Sequence, residues 1–352
     1  MKKLIKVLVI DDSALVRQTL TDIINSDDQL EVVGTAGDPF FAARKIKDFI
    51  PDVITLDIEM PRMDGLTFLR SLMSQYPVPV VVISSLTQTG SHLALQALSW
   101  GAVEIVAKSE IRNTREFLEE SRIRINDAIK AASLVAVRRI GRTAKQDGLG
   151  ETKTKPAEDT SLYKTTDKVL AIGASTGGTE ALRYLLKNVP ANAPGILVTQ
   201  HMPPGFTKSF ADQLNNICEI TVKEASDGEK IMRGHAYIAP GGKHMELVRS
   251  GAKYFIKVRD GELVNRHKPS VDVLFDSVAK NAGQNAVGLI MTGMGKDGAS
   301  GLLRMRQAGA RTIAQDEKSS VVFGMPKEAI RINAAEKIFA LDEMPSRLIG
   351  YF

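Results

Sequence analysis

Lys6-Val-Leu-Val-Ile10, followed at once by Asp11-Asp12 and then by a helical pattern over 13–25, is the stretch that decides the fold. A short apolar, β-branched run closed by carboxylates reads as a strand buried on both faces, because a strand with one wet face would alternate. Outward from it the same alternation of strand and helix runs through 30–35, 39–48, 53–56, 66–74, 78–83, 90–100, 103–106 and a long amphipathic helix over 114–139, making five β/α units. Strands this short, separated by helices, need crossover connections. Right-handed crossovers stack the helices on both faces of a parallel sheet. The expected fold class is α/β with a doubly wound parallel sheet.

Residues 141–168 break the pattern, with few apolar residues and no period, so they cannot bury enough surface to offset chain entropy and read as a flexible linker. Its 28 residues would span ~30 Å as a coil. A second α/β pattern begins at Val169, with strand runs at 169–173, 195–199 and 287–291. Extended or hairpin segments lie at 236–248 and 254–258, with Pro240-Gly241-Gly242 as a turn. The expected organisation is one domain over 1–140, a linker over 141–168 and a second doubly wound domain with a β-hairpin over 169–352.

Composition bounds the function classes. The 352 residues carry a net charge of +5, and eight basic against five acidic residues in 138–168 place three of those charges around the linker. The excess is therefore not a nucleic-acid footprint. Cys218 is the single cysteine, which leaves no partner for an intrachain disulfide and favours a reducing compartment, the cytoplasm. Apolar runs such as 79–83 and 169–172 fall far short of the ~20 residues that span a bilayer, so no membrane insertion is expected.

In a doubly wound sheet, functional groups gather beyond the carboxyl ends of the strands. In the first domain these ends carry Asp11-Asp12, Asp57, Ser84-Ser85 and Lys108. Converging carboxylates repel unless a hard divalent cation holds them. An acid pair, a lone Asp, a hydroxyl and a Lys make a phosphoryl-accepting site. Any one Asp alone would serve as well as a helix cap; the set at successive strand ends argues for chemistry. Residues 5–125 resemble a response-regulator receiver domain, of flavodoxin-like fold, through Asp11-Asp12, Asp57, Met60-Pro61, Asp64-Gly65, Ser84 and Lys108. The resemblance implies Asp57 as phosphoacceptor and Mg²⁺ held by Asp12 and Asp57, with Asp11 and the main chain of Glu59. It implies Ser84 and Lys108 as the groups that sense the phosphoryl.

In the second domain, Val169-Leu-Ala-Ile172 runs into Gly173-Ala-Ser-Thr-Gly-Gly178. This matches G-x-S-x-G, a sharp strand-to-helix turn that exposes a Ser hydroxyl. The segment fits equally a dinucleotide-binding turn or a plain tight turn. A ribose anchor would be an acid about 20 residues on, after the next strand, where Gln200-His201-Met202 stands instead. The strand over 287–291 leads into Thr292-Gly-Met-Gly-Lys-Asp297-Gly298. Ser175, His201 and Asp297 would then share one sheet edge. A serine needs a base to take its proton, and the base needs an acid to fix its tautomer. The order Ser, His, Asp differs from that of α/β-hydrolases. Asp272, Asp276 and Asp316 compete with Asp297, the first two read as facing solvent or capping a helix over 270–280; His92, His235, His244 and His267 compete with His201. Cys218 reads as packing.

These residues, with Tyr237-Ile-Ala-Pro-Gly-Gly242, His244-Met245, Pro269-Ser-Val-Asp-Val-Leu274 and Leu289-Ile-Met-Thr-Gly-Met-Gly-Lys-Asp-Gly298, resemble the catalytic domain of the chemotaxis methylesterases, the CheB family. With the receiver and linker, the resemblance covers essentially the whole chain. It implies a Ser175, His201, Asp297 triad with the Met294 main-chain N–H as oxyanion donor, and no cofactor for the esterase step. It implies demethylation of glutamate methyl esters, and deamidation of certain glutamines, on methyl-accepting chemotaxis receptors, with a chemotaxis histidine kinase as phosphoryl donor. Regulation would follow if the unphosphorylated receiver covered the Ser175 edge and phosphorylation of Asp57 released it. A DNA-binding output domain would need a helix-turn-helix, which 168–352 does not offer. A nucleotide-dependent oxidoreductase would need the acid that His201 replaces.

Overall fold

The computed structural model describes residues 4–60, 64–84, 87–108, 115–135 and 168–352. The chain forms two compact units, Met1–Leu149 and Gly150–Phe352. The division falls inside the stretch read as a linker, of which 141–167 lie outside the described residues, as do Pro61, Ser85, Thr114 and 136–140.

The first unit alternates β1 (Ile5–Ile10), α1 (Ala14–Asn25), β2 (Leu30–Ala36), α2 (Pro39–Phe49), β3 (Val53–Asp57), α3 (Gly65–Gln75), β4 (Val80–Ser84), α4 (Gln88–Ser99), β5 (Glu104–Ala107) and α5 (Arg115–Ser133). Its five strands are parallel in the order β2-β1-β3-β4-β5. β3 and β4 are buried at every position, which is why they read as largely apolar runs without alternation. Polar side chains start the helices: Ser13, Asp38, Asp64 and Thr87 accept hydrogen bonds from first-turn N–H groups of α1 to α4. The order reverses between β1 and β3, so their carboxyl ends open the crevice where a doubly wound sheet binds ligands.

The second unit contains β6 (Val169–Ala174), α6 (Gly178–Lys187), β7 (Gly195–Gln200), α7 (Phe206–Ile217), β8 (Thr221–Glu224), β9 (His235–Ile238), β10 (His244–Ser250), β11 (Lys253–Arg259), α8 (Val271–Asn281), β12 (Ala286–Ile290), α9 (Ala299–Gln307), β13 (Arg311–Gln315), α10 (Met325–Arg331), β14 (Lys337–Phe339) and α11 (Met344–Ile349). Seven strands form a parallel sheet in the order β14-β13-β12-β6-β7-β9-β8, and β10 pairs antiparallel with β11. β6, β7 and β12 are buried throughout. Val271, Leu274, Phe275 and Val278 pack the inner face of α8 into the core with Leu302 and Met305 of α9 and Met245 and Leu247 of the hairpin. Among the described residues, no helix is long and apolar enough to cross a membrane.

Candidate active site

Strand register brings Ser175 and His201 side by side. Ala174 of β6 pairs with Gln200 of β7, so the next residue of each strand emerges at the same level of the sheet edge. There His201 N donates to Ala174 O at 3.1 Å. Gln200, buried in the sheet, donates from Nε2 to Ser175 O at 3.0 Å and to His201 O at 3.2 Å, tying both corners together. β12 flanks β6 on its other side, and its loop returns over the serine: Ser175 N donates to Thr292 O at 3.0 Å. Gly293 lies so close that a Cβ on it would sit 2.7 Å from Ser175 Cβ and 2.4 Å from Met325 Sδ. Only hydrogen fits there. The Met294 N–H, next in this loop, donates to no acceptor among the described residues.

Asp297 is buried and accepts from every side. His201 Nε2 lies 2.8 Å from Oδ2, and Val271 N donates to the same oxygen at 2.7 Å. Oδ1 accepts from Ser270 Oγ at 2.8 Å, Asn265 Nδ2 at 2.8 Å and Asp272 N at 3.2 Å. Two of these donors are the first amides of α8, whose dipole favours an anion at that end. Burial pushes the Asp297 carboxyl up, yet the hydrogen bond and charge of His201, with the Asn265 and Val271 donors, hold it well below the ordinary carboxylate range. With Nε2–H directed at Asp297, the lone pair of the His201 ring is on Nδ1, which is buried and has no hydrogen-bond partner among the described residues. This reverses the ring usage of the chymotrypsin arrangement, where the carboxylate holds Nδ1.

Asp272 departs from the sequence expectation. It is buried rather than solvent-facing, and it accepts from Gly301 N and Asn265 Nδ2, both at 2.6 Å. Burial first, and then the neighbouring Asp297 charge, raise its carboxyl. Periodicity puts position 272 in the first turn of a helix but cannot show that α9 packs over that turn. Asp276 is half-exposed and pairs with Arg304, and Asp316 accepts from Ser319 N at 3.0 Å. Two histidines gain partners that no local motif signals. His244 Nε2 lies 2.8 Å from Glu262 O, and His267 stacks on His201 with ring centroids 3.6 Å apart. Cys218 is buried at the end of α7.

In the first unit, Asp11, Asp12 and Asp57 offer carboxylate oxygens that all lie within 4.8 Å of one another. Lys108 Nζ is 2.6 Å from Asp57 Oδ2 and 3.1 Å from Asp11 Oδ2. Glu59 N donates to Asp57 Oδ1 at 3.0 Å, so Glu59 meets the cluster through its main chain while its side chain is exposed. Asp11 Oδ2 is buried and meets only the Lys108 ammonium among the described residues. An exclusively oxygen donor set of this charge fits a hard cation such as Mg²⁺. Burial raises the Asp57 carboxyl, Lys108 opposes this, and the Asp11 charge adds to it. The two carboxylates raise Lys108 despite its burial. Ser84 Oγ donates to Gly90 O at 3.2 Å.

Residues 170–348 match the family model described as CheB methylesterase, and residues 7–120 that of the response regulator receiver domain. A Geobacter metallireducens protein named protein-glutamate methylesterase/protein-glutamine glutaminase 3 is 55% identical over 358 aligned positions, covering 99% of each chain. A Rhizobium johnstonii protein named protein-glutamate methylesterase/protein-glutamine glutaminase 2 is 54% identical, with 99% of this chain and 98% of that one covered. The crystal structure of the Thermotoga maritima CheB methylesterase catalytic domain covers 53% of this chain and 98% of that chain, at 41% identity and a TM-score of 0.52. With both halves matched in one chain and relatives more than half identical aligned over nearly its whole length, the chain belongs to the CheB methylesterase family and carries a response regulator receiver domain ahead of its catalytic domain.

Proposed function

We propose that the protein removes methyl groups from glutamate γ-methyl esters, and deamidates certain glutamines, on chemotaxis receptors, through Ser175, His201 and Asp297. The observation that carries the reading is the convergence of three adjacent strand ends, with His201 Nε2 held 2.8 Å from a buried carboxylate and Nδ1 without a hydrogen-bond partner among the described residues. Ser175 Oγ attacks the ester carbonyl carbon while His201 Nδ1 takes its proton. Asp297 stays ionised and stabilises the imidazolium. The negative oxygen of the tetrahedral intermediate is met by the Met294 N–H; one such donor is typically worth ~3–4 kcal/mol. The proton returns from His201 to the departing methanol, or to ammonia from a glutamine. His201 then deprotonates water, which releases the glutamate and restores Ser175. Fluorophosphonate labelling of wild type and Ser175→Ala tests this: labelling is expected only in the wild type, and a labelled Ser175→Ala protein removes Ser175 from the role of nucleophile.

The first unit supports phosphoryl transfer from a histidine kinase to Asp57. Asp11, Asp12, Asp57 and the Glu59 main chain would hold Mg²⁺, which when bound neutralises phosphoryl oxygens. Lys108 supplies a fixed positive charge beside the accepting carboxylate, and the Ser84 hydroxyl would leave Gly90 O to meet the phosphoryl group. Asp57→Asn is expected to abolish phosphate incorporation from a small phosphodonor. Retained incorporation would move the acceptor elsewhere.

A further inference from the structure

The loop between β11 and α8 delivers two side chains to the His201–Asp297 pair. Val264 and His267 exchange both main-chain hydrogen bonds, at 3.1 and 2.9 Å. This closes a two-residue turn whose central residues, Asn265 and Arg266, both have positive φ, 52° and 70°. Left-handed backbone is uncommon outside glycine, and Asn tolerates it better than Arg; it persists where surrounding contacts over-determine it. At one end of the turn, Asn265 Nδ2 donates to Asp297 Oδ1 at 2.8 Å and to Asp272 Oδ2 at 2.6 Å. At the other end, the His267 ring lies flat on His201, with centroids 3.6 Å apart and planes within 12°.

Ring mechanics give this stack a purpose. Cβ anchors one end of the His201 imidazole, and the hydrogen bond from Nε2 to Asp297 anchors the other. The motion left is a roll about the line joining them, and that roll sweeps Nδ1. A parallel ring at van der Waals distance blocks it, because tilting drives atoms of one ring into the other.

We propose that His267 is a positioning residue: its ring is the plate against which His201 is held with Nδ1 on one heading, while Asn265, on the same turn, holds the carboxylate end. This rests on the reading of His201 as general base. The test uses the full chain, methanol release from methylated receptor, and the variants His267→Phe, His267→Leu and His201→Ala. Phe keeps a flat ring without a transferable proton; Leu keeps volume without a plane. A misdirected base costs about 10- to 100-fold in rate, so His267→Leu is expected to lose that much kcat with KM and the unfolding midpoint near wild type, and His267→Phe to recover most of it. Wild-type kcat in His267→Leu overturns the proposal. So does His267→Phe as slow as His267→Leu, which would make His267 a proton carrier. Full activity in His201→Ala instead defeats the general-base reading itself, an outcome separate from the Phe and Leu comparison.

Discussion

Asp297 lies at the centre of the candidate site, where five donors converge on one buried carboxylate. Leaving a buried donor without its acceptor costs ~1–3 kcal/mol, so Asp297→Ala, which orphans several, is expected to lower the unfolding free energy of the second unit by a few kcal/mol in urea titrations. Asp297→Asn keeps the volume but cannot stabilise the imidazolium, and a kcat loss near 10⁴-fold, as in the comparable serine-protease change, is the outcome to check by methanol release. The sign of the pH effect follows from the depressed carboxyl. Its stabilisation is fully present above the ordinary aspartate value of 3.8 and is lost as pH falls below that toward the folded value. Wild type should therefore lose stability on acidification more steeply than Asp297→Asn, with the difference opening below about pH 4, as followed by far-UV circular dichroism.

At the scale of elements, the two units start their helices differently. Side chains cap α1 to α4, whereas α6, α7 and α9 begin at Gly177, Gly205 and Gly298, with φ of 76°, 84° and 87° and no side-chain cap. These three follow the strands that carry Ser175, His201 and Asp297, so their sharp corners leave room at the sheet edge. Gly293 shows how tight that edge is. Gly293→Ala forces a Cβ against Ser175 and Met325, and overpacking of this kind costs ~1–3 kcal/mol. The expected outcome is a lowered Tm together with slower fluorophosphonate labelling, because Ser175 must shift to admit the methyl; an unchanged labelling rate would show that Met325 alone gives way.

At the scale of the molecule, Trp100 is the single tryptophan and lies in the first unit beneath the Arg70 guanidinium, 5.8 Å from its ring. Its fluorescence therefore reports that unit alone, and two units with separate cores need not unfold together. A fluorescence transition displaced from the far-UV dichroism transition is expected in urea; coincident transitions would show the units to be coupled. If the receiver restrains the esterase, the isolated segment 160–352 should hydrolyse a small ester faster than the unphosphorylated full chain. Equal rates would refute restraint. The first sheet and strands β6, β7 and β12 of the second were legible in the sequence, because strands buried on two faces leave largely apolar runs; β9, read as part of an extended or hairpin segment, instead joins the parallel sheet between β7 and β8, and β8, β13 and β14 carried no such signal. Asp11, Asp57, Lys108, Ser175 and His201 could be read too, since they stand at or just past strand ends, where chain direction alone sets the edge they occupy. What only the tertiary structure decided lies in loops and across elements: Asp272 buried under α9, the free nitrogen of His201, and His267 laid on its ring by a left-handed turn. Sequence carries local period and strand direction, whereas these contacts join residues dozens of positions apart whose meeting depends on how packed elements close over one another.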